Sequence, residues 1–255
     1  MIGIIASAFI AADGTDAFDS WMKIILACAI VVIFMGGGNA LNDYVDRDID
    51  VVSHPERPVP SGRIKPKHAL YTGCLALALA VMLSLLFWDV LCIVIVMAAC
   101  VLMLLYELVL KQRGFVGNVT IAALTGGIFL LGGAVVGNIE GTFVLAGMAV
   151  LVNIGREITK DIEDMEGDKG RRTLPMSIGK KRAGIVAAVF YLAGVALSVL
   201  PFITGTFGVL YAAIVIPDVM FIYASYILFT DPRASQKAAK FAMLAALAAF
   251  MLGVI

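Results

Sequence analysis

Long apolar runs alternate with short polar connections along the 255-residue chain. A helix that crosses a bilayer needs about 20 consecutive apolar residues, and most of the runs have this length. A shorter run at residues 1–12 predicts the second half of a first helix that begins before Met1. The longer runs are approximately residues 20–41, 67–88, 90–110, 117–137, 141–159, 183–203, 206–229 and 236–255. The pattern therefore predicts an all-α, polytopic membrane bundle of about nine transmembrane helices.

The composition strengthens this prediction. Hydrophobic residues make up 61% of the chain, charged residues only 15%, and the mean hydropathy is +0.98. Soluble globular domains average about 45–50% apolar and about 25% charged residues. A soluble protein is therefore excluded, and we expect residues 1–255 to form a single transmembrane domain.

The basic residues indicate how the helices are oriented. Of the 19 Lys and Arg residues, 18 lie in or beside four connections, at residues 42–67, 107–113, 156–182 and 231–240. These follow the second, fourth, sixth and eighth predicted helices, so they must share one side of the membrane. Basic connections are typically cytoplasmic. We therefore expect these connections in the cytoplasm, with the N-terminus inside and the C-terminus outside.

Two acidic triplets within these connections share one spacing, i, i+3 and i+7. They are Asp43, Asp46 and Asp50 after the second helix, and Asp161, Asp164 and Asp168 after the sixth. If the helices continue through both segments, each triplet lies along one helical face. A solvated loop with helix-capping acids is the simpler alternative for either triplet alone. The repeated spacing, on one side of a chain with so few charges, favours a functional site.

The chemistry that suits such a site is a metal-bridged diphosphate. Carboxylates at two neighbouring helix ends repel one another unless cations neutralise them. Mg²⁺ binds oxygen ligands, usually one or two carboxylates together with substrate phosphates. Basic side chains that can bind phosphate oxygens are interleaved with the acids. These are Arg57, Arg63, Lys111, Arg156, Lys160, Arg171 and Arg172. A cavity within the bundle would then hold the apolar part of the substrate.

These motifs resemble those of the UbiA-type intramembrane prenyltransferases. The run NDYVDRDID, which starts at Asn42, fits the family patterns NxxxDxxxD and NDxxDxxxD. The family pattern DxxxD matches Asp164 and Asp168, and YxxxxK matches Tyr106 and Lys111. The resemblance covers essentially the whole chain, because helix number, topology and motif placement agree.

The resemblance implies a role for each of these residues. It implies one Mg²⁺ bound by Asn42, Asp46 and Asp50, and a second bound by Asp164 and Asp168. It implies that the diphosphate is neutralised by Arg57, Lys111 and Lys160. Tyr106 would shield the allylic cation with its ring, or alternatively anchor the chain at the membrane boundary. Asp43 and Asp161 are both candidates for accepting the proton of the attacking hydroxyl, and the sequence does not separate them.

Within the family, the local sequence around these motifs is most similar to that of the enzymes that make archaeal ether lipids. The stretch REITKDIEDMEGDKGRRTLP favours this branch, whereas RPxPSG, found in HPERPVPSGRI, is also shared with chlorophyll synthases. The resemblance implies transfer of geranylgeranyl from its diphosphate to geranylgeranylglyceryl phosphate, within the lipid bilayer. An aromatic, quinone-precursor or porphyrin acceptor is the alternative. We expect no nucleic acid and no obligate protein partner.

A membrane transporter is a more distant alternative. Transporter sites typically lie near the bilayer midplane, between broken helices. The acidic triplets instead lie at one membrane face, and only Asp218 is predicted near the midplane, after Pro217. Asp218 therefore has two interpretations: a functional group that faces the bundle interior, or a protonated side chain bonded to backbone near Pro217.

Overall fold

A computed structural model describes residues 1–12, 19–165 and 173–254 of the chain. Nearly all of these residues lie in helices. Short 3-10 helices cover Leu85–Phe87, Leu110–Gln112, Glu140–Thr142 and Val209–Ile214. The α-helices are α1 (Ile2–Ala11), α2 (Trp21–Val45), α3 (Arg47–Ser53), α4 (Pro66–Ser84), α5 (Val90–Leu108), α6 (Phe115–Val135), α7 (Phe143–Asp164), α8 (Leu174–Ile178), α9 (Lys180–Ser198), α10 (Leu200–Thr204), α11 (Val215–Ile227) and α12 (Pro232–Val254).

The helices confirm the predicted membrane bundle. Within the described ranges, eight helical segments are long and apolar enough to cross a membrane, and α1 is a shorter apolar helix of 10 residues. Large apolar side chains such as Leu75 and Met82 on α4 and Val94 on α5 point outward and are exposed. Exposed apolar surface on this scale is expected where lipid is the solvent. The protein is therefore a multi-pass membrane protein.

Small residues set the close packing between neighbouring helices. At Gly73 on α4, an added Cβ would lie 2.5 Å from Cγ of Leu41 on α2. At Gly126 on α6, it would lie 2.5 Å from Cγ2 of Val150 on α7. Any larger side chain would force these helix pairs apart, which is why small residues are common at helix contacts in membranes.

The charged connections meet at one end of the bundle. The end of α5 reaches the end of α2, because Lys111 Nζ lies 2.6 Å from Asp46 Oδ2. The start of α6 reaches the end of α7, because Asn118 donates a hydrogen bond of 2.9 Å to Asp161. This end therefore gathers residues that are far apart in the sequence into one polar region, which we call the polar end.

Asp218 lies elsewhere, on α11. Its carboxylate accepts a hydrogen bond of 2.7 Å from the hydroxyl of Ser198 on α9. It lies on the wall of a cavity of about 190 Å³ whose other lining side chains are mainly apolar, including Met148 and Phe250. Asp218 therefore lines an interior cavity, and the hydrogen bond found for it comes from a side chain on a neighbouring helix.

Candidate active site

The first acidic motif lies where α2 gives way to α3. Helix α2 ends at Val45, and Asp46 is the junction residue. The helical hydrogen bonding continues across the junction, since the Asp46 N–H bonds the Asn42 carbonyl (2.9 Å) and the Asp50 N–H bonds the Asp46 carbonyl (2.8 Å). The motif thus keeps nearly helical register. Asp46 and Asp50 are buried, at 5% and 3% exposure, and Asp43 is only partly buried.

Arg57 joins three oxygen atoms of this motif. Its Nη1 nitrogen lies 2.7 Å from Asp50 Oδ2 and 3.3 Å from Asn42 Oδ1. The same nitrogen lies 4.0 Å from Asp43 Oδ1. Three oxygen ligands therefore converge on one positively charged atom. Carboxylate and amide oxygens are the donors that Mg²⁺ prefers. Of the predicted metal ligands, Asn42 and Asp50 converge here, whereas Asp46 is paired with Lys111.

Lys111 forms a second cationic centre, in the 3-10 helix that follows α5. Its Nζ lies 2.6 Å from Asp46 Oδ2 and 3.2 Å from Glu107 Oε2. All three side chains are at most 8% exposed. Nζ also lies 6.0 Å from the ring centroid of Tyr106, within the range of a cation–π contact. Lys111 therefore orients Asp46 and packs beside Tyr106.

Glu107 was missed by the sequence analysis. Its position four residues before Lys111, at the end of an apolar helix, is the signal that could have identified it. Among the described residues of this cluster, acids outnumber cations. The acids are Asp43, Asp46, Asp50 and Glu107, and the cations are Arg57 and Lys111. The excess negative charge favours an additional cation.

The second acidic motif is only partly described. Asp161 accepts the hydrogen bond from Asn118 on α6, and Asp164 is exposed at the last residue of α7. The predicted metal ligand Asp168 lies outside the described residues, as do Arg171 and Arg172. Within residues 1–12, 19–165 and 173–254, no group of three or more Asp, Glu, His or Cys side chains surrounds a common metal position.

A cavity of about 440 Å³ opens beside the first motif, between α2, α5, α6 and α7. Ligand pockets in proteins typically measure about 300–1,000 Å³. Its inner part is apolar and is lined by residues including Phe34, Val96, Leu124 and Ile128. Its polar lining consists of Asn39, Asn42, Tyr106, Glu107, Thr125, Arg156, Glu157 and Lys160. The shape and lining suit a substrate with a polar head and a long apolar tail.

The structure sorts the predicted residues into three groups. The predicted residues that line the cavity are Asn42, Tyr106, Arg156 and Lys160. The ion-paired cluster beside it contains Asp43, Asp46, Asp50, Arg57 and Lys111. Asp161 and Asp164 lie along the end of α7. Arg63 is separate from all three groups, because it is exposed and bonds Ser61 in the connection after α3.

Comparisons with known proteins agree with this architecture. The family model described as "UbiA prenyltransferase family" matches residues 1–252. The digeranylgeranylglyceryl phosphate synthase of Natronomonas pharaonis is 40% identical over 96% of this chain and 90% of its own length. A solved structure of digeranylgeranylglyceryl phosphate synthase is 33% identical, with a TM-score of 0.83 over 100% of this chain and 92% of that chain.

A more distant structure shares the fold. A UbiA homologue from Archaeoglobus fulgidus, solved with DMAPP and Mg²⁺ bound, is 14% identical, with a TM-score of 0.62 over 97% of this chain and 96% of that one. The family match and the similarity along the whole chain lead to one conclusion. The chain belongs to the UbiA prenyltransferase family.

Proposed function

We propose that the chain transfers a geranylgeranyl group from geranylgeranyl diphosphate to the free hydroxyl of geranylgeranylglyceryl phosphate. The product would carry the second ether bond of an archaeal membrane lipid. The observation that carries the proposal is the cluster of Asp46, Asp50, Arg57 and Lys111 beside a cavity whose inner part is apolar. Asn42 and Glu107, which contact Arg57 and Lys111, line that cavity. The choice of acceptor is supported by the 40% identity to a digeranylgeranylglyceryl phosphate synthase.

The first motif fits a divalent metal, and we propose Mg²⁺. Asn42, Asp46 and Asp50 would hold one ion, and Asp164 with Asp168 a second. Mg²⁺ bound there would neutralise the diphosphate and make it a better leaving group. The magnesium found in the Archaeoglobus fulgidus homologue supports this proposal.

The cations of the cluster would bind the donor. Arg57 is 34% exposed in its side chain, so it can reach a diphosphate that replaces Asp43 and Asp50 as its partner. Lys111 is buried and holds Asp46 in place, so its charge is fixed near the leaving group. A preorganised cation of this kind stabilises the charge that develops on the diphosphate as the bond from C1 to oxygen breaks.

The cavity would hold the prenyl chain and keep water from the reactive C1. Tyr106 on its wall presents a ring that can shield the allylic cation. The acceptor hydroxyl then bonds to C1 and loses its proton. The predicted proton acceptors Asp43 and Asp161 are not among the cavity-lining residues. The acids that line the cavity are Glu107 and Glu157, and each is paired with a cation.

We also propose that the polar end faces the cytoplasm, with the N-terminus inside and the C-terminus outside. The basic connections support this orientation. Residues 1–255 would form one catalytic domain that needs no protein partner.

A transfer assay in liposomes tests the proposal. Labelled geranylgeranyl diphosphate and Mg²⁺ are offered with geranylgeranylglyceryl phosphate beside 4-hydroxybenzoate. We expect label in the lipid phosphate, and none with Asp46→Ala. Transfer only to 4-hydroxybenzoate would keep the fold and the metal site but replace the acceptor. No transfer to either compound would overturn the proposal.

A further inference from the structure

Arg156 lies on the cavity wall, closer to the middle of α7 than the second acidic motif. It precedes Asp164 by eight residues on α7, which corresponds to about 12 Å along the helix axis. Its side chain is 20% exposed and lines the cavity that also contains Tyr106 and Asn42. A guanidinium within a membrane-crossing helix carries a large desolvation cost, so its position calls for a functional explanation.

A chain of hydrogen bonds fixes the guanidinium in place. Arg156 Nε donates to Asn153 Oδ1 at 3.0 Å, and Asn153 Nδ2 donates to Thr125 Oγ1 on α6 at 2.9 Å. The Thr125 hydroxyl in turn donates to the Ile121 carbonyl at 3.0 Å. Asn153 is only 1% exposed. These bonds between α6 and α7 hold Arg156 in one orientation toward the cavity.

The counterion of Arg156 is its neighbour Glu157. Arg156 Nη2 forms a close ion pair with Glu157 Oε1. The contacts to Asn153 and Glu157 use some of the N–H donors of the guanidinium, which has more of them to offer. Lys160 follows four residues later, one helical turn toward the polar end, and lines the same cavity.

The two groups of cations are therefore separate. Arg57 and Lys111 are paired with carboxylates of the first acidic motif. The partners found for Arg156 are Asn153 and Glu157, neither of which belongs to an acidic motif. The reaction under "Proposed function" likewise requires two anions to be bound, the diphosphate of the donor and the phosphate of the acceptor.

We propose that Arg156 binds the phosphate of the acceptor lipid. Lys160, which the family resemblance assigned to the diphosphate, would instead be a second contact to this phosphate. The inference rests on the proposed function and names the residue that selects the acceptor. A phosphate oxygen replaces the Glu157 carboxylate at the guanidinium, and a paired N–H···O geometry suits arginine and phosphate. The glyceryl hydroxyl, close to that phosphate, is thereby held near C1 of the donor.

Arg156 would also favour phosphorylated acceptors over neutral ones. With an acceptor that lacks phosphate, Arg156 keeps its ion pair with Glu157, and the acceptor gains nothing from the guanidinium. The preference for the lipid phosphate is therefore the free energy gained when a phosphate replaces that carboxylate.

The test compares Arg156→Gln with the wild-type protein in liposomes. Steady-state rates give KM for geranylgeranylglyceryl phosphate and, separately, KM for geranylgeranyl diphosphate. The neutral alcohol geranylgeranylglycerol serves as a phosphate-free acceptor. Arg182→Gln is the matched control, because Arg182 is an exposed residue of α9 outside the cavity lining.

We expect Arg156→Gln to raise KM for the lipid phosphate about 30-fold or more, because the loss of a charged hydrogen bond weakens binding by a factor of this order. KM for the diphosphate should change less than about twofold. The preference for the lipid phosphate over the neutral alcohol should fall by a similar factor. Glu157→Gln should lower KM for the lipid phosphate, because it removes the anion that competes for Arg156. Arg182→Gln should change neither constant.

Three results would overturn the inference. They are an equal rise in both KM values, an unchanged preference for the phosphorylated acceptor, and a higher KM for the lipid phosphate in Glu157→Gln. If Arg156→Gln does not fold, Glu157→Gln still tests the inference, because the inference requires its KM for the lipid phosphate to fall. A wild-type protein that transfers nothing to the lipid phosphate would instead overturn the proposed function itself.

Discussion

The two acidic motifs have the same spacing and different environments. In the first motif, Asp46 and Asp50 are buried and each is paired with a cation. Lys111 lies 65 positions from Asp46, and Arg57 lies seven positions from Asp50. In the second, Asp164 is exposed at the end of α7, and the hydrogen bond found for Asp161 comes from the neutral amide of Asn118. Equal spacing therefore places carboxylates on one helical face but does not determine their burial or their partners.

This difference predicts unequal roles. Buried, paired carboxylates are held in one geometry before substrate arrives, which favours catalysis by preorganised charge. An exposed carboxylate at a helix end is mobile and well hydrated, so it contributes less until a metal orders it. We therefore expect the first motif to dominate both activity and stability.

Removing one carboxylate from the first motif should have the largest effect. Asp50→Asn and Asp46→Asn should each lower kcat about 10²–10³-fold, the magnitude seen when one preorganised electrostatic group is lost. Asp48→Asn is the matched control, because Asp48 lies on α3 with its side chain 84% exposed. Transfer assays at saturating substrates measure the change. Equal losses in all three variants would contradict the role given to burial beside a cation.

Removing the buried cation should come next. Lys111→Met leaves Asp46 and Glu107 without the cation found between them, and breaking a buried ion pair costs about 3–5 kcal/mol. We expect a lower midpoint of thermal unfolding in detergent and a loss of activity. The double variant Lys111→Met with Glu107→Gln should recover part of the lost unfolding midpoint, but it should recover none of the activity. Recovery of both would argue against a role for Lys111 at the diphosphate.

The second motif should be more tolerant. Asp164→Asn should lower the rate about tenfold at low Mg²⁺, and less at high Mg²⁺, because the remaining oxygen ligands still bind the ion more weakly. The unfolding midpoint should be unchanged, since Asp164 is exposed. Rates over a Mg²⁺ titration check this. If Asp164→Asn lowered the transfer rate as much as Asp50→Asn does, at every Mg²⁺ concentration, the predicted difference between the motifs would be wrong.

The smallest effect is expected at Asp218. Its hydrogen bond to Ser198 lies on another cavity, away from the polar end. Asp218→Asn keeps the shape and the hydrogen-bonding capacity, so turnover should stay within about twofold and stability within about 1 kcal/mol. A strong loss of turnover at an unchanged unfolding midpoint would bring Asp218 into the chemistry.

Much of the fold could be predicted from the hydropathy pattern. The apolar runs matched the membrane-length helices closely, because one physical requirement, burial of apolar surface in lipid, sets their length. The sequence also predicted that Asp43, Asp46 and Asp50 share a face, and the nearly continuous helical register at Asp46 agrees.

The partners of these residues could not be predicted in the same way. The contact of Lys111 with Asp46 spans 65 positions and depends on how α2 and α5 pack. The burial of Glu107 and the placement of Arg156 on the cavity wall likewise follow from packing between helices. Sequence periodicity describes one helix at a time. It therefore predicts the helix face on which a residue lies, but not which residues of a neighbouring helix it contacts.

The most direct test is the rate of geranylgeranyl transfer to geranylgeranylglyceryl phosphate as Mg²⁺ is titrated from excess EDTA, in wild type and in Asp50→Asn. We predict that wild type is inactive in EDTA and that its rate saturates as Mg²⁺ is added. The rate of Asp50→Asn should stay about 10²-fold or more below that of wild type at every Mg²⁺ concentration. Transfer that proceeds in EDTA, or an Asp50→Asn variant as active as wild type, would contradict a metal-assisted site built on the first motif.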